Sequence, residues 1–116
     1  DILGTVRYMS PERFRGQCDV RADVYALGMT LYEMLTLKAA YASGDRLKLI
    51  EMIRRTEVPS ARSVDSRIPL DLETIVMKAI DKDPKGRYQS ADEMSDYLQR
   101  FVNDEPIQAR RIGSLS

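Results

Sequence analysis

The segment from Arg21 to Thr36 constrains the fold most, because it is apolar on every face: Val24, Tyr25, Ala26, Leu27, Met29, Leu31, Tyr32, Met34 and Leu35 leave no continuous polar stripe. A helix of that kind is covered by neighbours all round, and the run is too long for a strand, which averages about 5–6 residues. It is therefore expected to be a central helix, with Asp19 as its N-cap and the remaining segments packed about it. The apolar part, Val24 to Leu35, is broken by Gly28, Thr30 and Glu33 and falls short of the ~20 residues a bilayer-spanning helix requires.

The flanking segments supply packing partners. From Asp45 to Thr56, Leu47, Ile50 and Ile53 form one stripe with Arg46, Lys48, Glu51, Arg54 and Arg55 off it, the pattern of a surface amphipathic helix. Leu72, Ile75, Val76, Ala79 and Ile80 recur at helical spacing, and Asp83-Pro84 ends that run. Ser90-Ala91-Asp92-Glu93 reads as a capping box that opens a last helix with Met94, Tyr97, Leu98, Phe101 and Val102 on its buried face. Residues 1–18 read as loop with a short helical stretch from Ser10-Pro11-Glu12, and Lys38 to Gly44 reads as a connector. Glu57 to Pro69 reads as a long loop. The fold class is all-α, a central buried helix with three to four helices packed on it.

The 116 residues make one domain. Eighteen Lys+Arg balance 18 Asp+Glu, which argues against a nucleic-acid partner, whose phosphates call for clustered positive charge. With no His and one Cys, the chain holds neither a zinc site nor a Ser-His-Asp or Cys-His catalytic group. Cys18 reads as inert and the six Met as core filler. Asp1-Ile2-Leu3-Gly4 shows no initiator Met and no basic leader, so the chain is expected to be part of something larger.

Four separated signatures carry a resemblance. They are Gly4-Thr5-Val6-Arg7-Tyr8-Met9-Ser10-Pro11-Glu12, Asp23-Val24-Tyr25-Ala26-Leu27-Gly28, Asp83-Pro84-Lys85-Gly86-Arg87-Tyr88, and the capped helix from Ser90. In this order they resemble the C-terminal lobe of eukaryotic-type serine/threonine protein kinases, those of bacteria above all. The resemblance divides the chain into the end of an activation segment with an A-P-E-like motif (1–18), a helical C-lobe (19–102) and a flexible linker (103–116). It departs from the family pattern at Ser10 in place of Ala, at Ala26, and in Leu37 to Tyr41, which lacks the usual Gly and Pro-Phe and leaves Tyr41 to fill the aromatic position.

The resemblance implies roles for particular residues. Thr5 would support the catalytic loop, and Thr5, Val6, Arg7 and Tyr8 would receive the substrate residue that follows the phosphoacceptor. Glu12 would pair with Arg87, whose planar fork matches a carboxylate, and so anchor the activation segment. Asp23, the third structural anchor, would bind the backbone of the H-R-D loop; that loop is not in this chain, which leaves Asp23 to solvent or to its own helix.

The parent protein would transfer the γ-phosphate of ATP, with magnesium, to Ser/Thr of a protein substrate. The groups that do so are a glycine-rich loop, a Lys–Glu pair, H-R-D with its Asn, and D-F-G. None occurs in these residues, so this portion is expected to supply a substrate platform, to bind neither cofactor nor metal, and to be inactive alone. A pseudokinase that uses the platform only for binding is the alternative. Without the N-lobe and catalytic loop, an apolar flank of the central helix would lie bare and favour self-association. The resemblance further implies a cytoplasmic kinase portion, with the parent tethered to a membrane through a segment after residue 116.

Overall fold

Asp19 turns the chain into its central helix: its carboxylate accepts a hydrogen bond from the Arg21 N–H at 2.9 Å in the computed structural model, which describes residues 2–104. This helix, α2 (Val20–Thr36), follows α1 (Ile2–Val6) and a 3-10 helix at Pro11–Arg15. After it come α3 (Arg46–Arg55), α4 (Ala61–Val64), α5 (Leu70–Ala79), a 3-10 turn at Pro84–Gly86, and α6 (Ala91–Val102). No strand occurs among the described residues, and the fold is all-helical as expected.

α5 and α6 pack on α2 and on each other, while α4 fills in against α2 and α5. The approach of α2 to α5 is close enough to need a glycine, since a Cβ on Gly28 would lie 2.7 Å from Ala79 Cβ and 2.8 Å from Ile80 Cγ2. Val24, Ile75, Ala79, Tyr88 and Met94 form the core on one side of this contact. Tyr25, Met29, Tyr32, Tyr41, Leu49, Ile53 and Val76 form the larger core on the other.

Several sequence expectations are corrected. The central helix is not covered all round: Val20, Leu27 and Met34, seven residues apart, lie exposed on one flank. In α3 the buried stripe is Leu49 and Ile53, and Leu47 is 77% exposed, because the helix presents the i, i+4 pair to the core rather than the Leu47 edge. The stretch 57–69 is not all loop, since α4 forms there and the Glu73 carboxylate accepts its Arg62 N–H at 2.8 Å. Residues 1–18 hold two helical stretches rather than one. Val102 faces solvent instead of the core.

The cap of α6 forms with one change of partner. Ser90 Oγ accepts from the Glu93 N–H at 3.0 Å, but the Glu93 carboxylate accepts from the Gln89 N–H (2.8 Å) instead of that of Ser90. α2 ends at Leu37, which adopts the left-handed conformation with φ 58° and donates its N–H to Glu33 O at 2.8 Å. The expected linker 103–116 lies, beyond Asp104, outside the described residues.

Candidate functional site

The site is assembled where the 3-10 helix Pro11–Arg15 meets the turn between α5 and α6. Ser10 and Pro11 are buried and start that helix, which places Glu12 in its first turn with its side chain directed inward. Gly16, at φ 76°, closes the helix with its N–H on Arg13 O. The chain can then turn toward Asp19 and α2.

Glu12 meets Arg87 as a two-pronged pair. Arg87 Nη1 donates to Glu12 Oε2 and Nη2 to Glu12 Oε1, both at 2.7 Å. A guanidinium has five N–H donors, and here each has an acceptor. The other three go to backbone carbonyls: Nε to Asp81 O (2.7 Å), Nη1 to Arg21 O (3.1 Å) and Nη2 to Lys82 O (3.4 Å). The Tyr25 ring lies under the guanidinium, 5.0 Å from its centroid. Burial alone would raise the Glu12 carboxyl, but its hydrogen bonds with Arg87 and the adjacent charge outweigh this and hold it below the ordinary 4.5.

The residues before the anchor pack on α3 through α1 and reach α2 through Tyr8. Val6 is buried, Thr5 is exposed, and the half-buried Arg7 guanidinium sits 5.7 Å from the Tyr8 ring centroid. The Tyr8 hydroxyl donates to Glu33 Oε1 at 2.5 Å, and that bond, with burial, raises the tyrosine pKa above its ordinary value. Glu33 thus ties the stretch ahead of Ser10 to the last turn of α2. Its signal in the sequence was its position as an acid inside an otherwise apolar run.

Of the anchor residues suggested by the sequence, the structure brings Glu12 and Arg87 together and leaves Asp23 apart. Asp23 lies in the first turn of α2, exposed and without a side-chain hydrogen bond among the described residues. Sequence reasoning missed Lys82, which reaches Tyr41 and α3 from the same turn that holds Arg87.

The arrangement can hold a loop rigidly against a helical body, but it does not bring an acid, base and nucleophile together. Among the described residues no group of three or more His, Cys, Asp or Glu could hold a metal ion. No described helix is long and apolar enough to cross a membrane.

Comparison with known proteins gives the same direction. The protein kinase domain family matches residues 1–99. The chain is 40% identical over 110 residues to the probable serine/threonine-protein kinase SCO3848 of Streptomyces coelicolor, covering 93% of this chain and 16% of that protein. To the serine/threonine-protein kinase PknB of Mycobacterium tuberculosis it is 36% identical over 113 residues, 96% of this chain and 18% of that one. To the serine/threonine-protein kinase PrkC of Bacillus subtilis it is 32% identical over 111 residues, 95% and 17%. The chain thus spans about a sixth of the length of these relatives. From the order of its motifs, its helical architecture and these matches, the chain belongs to the protein kinase domain family.

Proposed function

We propose that these residues form the substrate platform and activation-segment anchor of a kinase that phosphorylates Ser or Thr of proteins. The observation that carries this reading is the buried Glu12–Arg87 pair, which fastens the Ser10-Pro11-Glu12 end of the chain to the α5–α6 turn. On this reading residues 1–18 are the end of the activation segment, 19–102 the helical lobe and 103–116 a linker. Thr5, Val6, Arg7 and Tyr8 form the wall that meets the residue following the phosphoacceptor, with Thr5 toward the catalytic loop. Asp23, exposed here, serves the same loop. ATP and magnesium are bound by the parent through other residues, and the 116 residues alone are inactive. The kinase portion works in the cytoplasm, with the parent held at a membrane by a segment after residue 116.

The test uses the longer protein that carries this segment, supplied with ATP, magnesium and peptides that present Ser, Thr or Tyr at one position. Phosphate is expected on Ser and Thr, with a loss on the order of a hundredfold in the Glu12→Ala variant, as for a displaced substrate wall. Absence of transfer by the unaltered protein would favour a scaffold, and transfer to Tyr alone would overturn the hydroxyl class.

A further inference from the structure

Lys82 performs two tasks from one position. Its ammonium donates to Ile53 O at 2.7 Å and to the Tyr41 hydroxyl at 2.6 Å, and Tyr41 in turn donates to Thr56 O at 3.2 Å. Ile53 O is among the last four carbonyls of α3, which have no partner within the helix, and a cation at that end also complements the helix dipole. Lys82 is therefore a cap for α3 that comes from 29 residues away in the chain. The contact is half-buried, and burial lowers the lysine pKa against an opposing contribution from Glu57.

The backbone of the same turn faces the other way. Asp81 O and Lys82 O accept from Arg87 Nε and Nη2, two of the five bonds that set the guanidinium opposite Glu12. α3 also packs directly on the 3-10 helix that carries Glu12, and on α1 before it. The side chain of Lys82 thus grips α3 while its carbonyl grips Arg87, and the loop closes through Glu12.

We propose that Lys82 is a positioning residue that couples the seating of α3 to the Glu12–Arg87 anchor, so that the two yield or hold together. The inference rests on reading residues 1–18 as the activation-segment end only for its functional meaning; the coupling itself concerns contacts within the 116 residues. Displacing α3 then loosens the anchor, and loosening the anchor frees α3.

Amide hydrogen exchange on the full chain tests it, read over residues 52–57, residues 10–17 and, for reference, residues 91–102. Lys82→Met removes the ammonium and keeps an unbranched stem. Exchange is expected to rise about tenfold or more in both of the first two segments, the loss of a charged hydrogen bond, with the reference unchanged. Lys82→Arg, which can donate to the same oxygens, is expected to return both segments together. Acceleration of 52–57 alone would reduce Lys82 to a local cap, and equal acceleration of all three segments would make it a general stabiliser; either result overturns the coupling. If Lys82→Met does not fold, Tyr41→Phe removes one acceptor and decides on the same pattern. The measurement uses neither ATP nor substrate, so its failure and a failure of phosphoryl transfer are separate outcomes.

Discussion

Arg87 has no spare donor and no contact with water to fall back on, so the loss of either member of its pair strands the other. Arg87→Met is expected to cost about 3–5 kcal/mol, the usual consequence of an uncompensated buried charge, measurable by urea unfolding. Glu12→Leu combined with Arg87→Met should cost less than the sum of the two single changes, because the second removes the charge that the first left behind. The pH dependence has a definite sign. Because the Glu12 carboxyl is lowered from 4.5 in the folded chain, its contribution is present above that value and fades as pH falls through the folded-state pKa. Glu12→Gln should therefore show a shallower acid limb, with the difference between variant and parent shrinking below about pH 4.5; an acid limb of unchanged slope would count against the pair. The partner of Glu12 was legible in the sequence only through the family resemblance. No local pattern links positions 75 apart, and the carbonyls of Asp81, Lys82 and Arg21 that complete the set have no residue signature at all.

At the scale of elements, the ends of helices were the most legible features because caps are local chemistry. Asp19 and Ser90, both named as caps from the sequence, accept from an N–H two and three residues on, and Asp45 caps α3 in the same way. Register on α3 was not, since a ten-residue helix with Leu47, Leu49, Ile50 and Ile53 offers two overlapping stripes, and only the tertiary neighbours select Leu49 and Ile53. Two glycine exchanges test the packing and the cap in opposite directions. Gly28→Ala should destabilise by about 1–3 kcal/mol, since the new methyl overlaps Ala79 and Ile80 and this outweighs the better helix propensity of Ala. Leu37→Gly should stabilise by about 1 kcal/mol, because Leu37 is 87% exposed and holds a left-handed φ that glycine adopts freely. Thermal unfolding of the two variants beside the parent settles both signs.

At the scale of the whole molecule, α2 leaves one apolar flank bare although its sequence is apolar on every face. Val20, Leu27 and Met34 share one side of the helix, and an apolar groove of about 260 Å³ runs between that side and α6, lined by Leu27, Leu31, Met94 and Leu98 among others. The isolated chain is therefore proposed to self-associate. Light scattering over a concentration series should show mass rising above the monomer, and Leu27→Glu with Met34→Lys should restore a monomer without loss of helicity. A parent chain that stays monomeric throughout would overturn the proposal.

The five bonds of Arg87 also set the stretch from Ser10 onward, held by a buried ion pair, apart from the stretch ahead of it. From Ser10 onward the backbone is fixed by buried Ser10, Pro11 and Glu12, and no single bond can open without leaving the rest in place. Ahead of Ser10 the ties are of a lighter kind, among them the half-buried Tyr8–Glu33 bond and the packing of Val6 in the core. A competing acceptor for the Tyr8 hydroxyl would therefore loosen the stretch ahead of Ser10 while the rivet behind it stays shut.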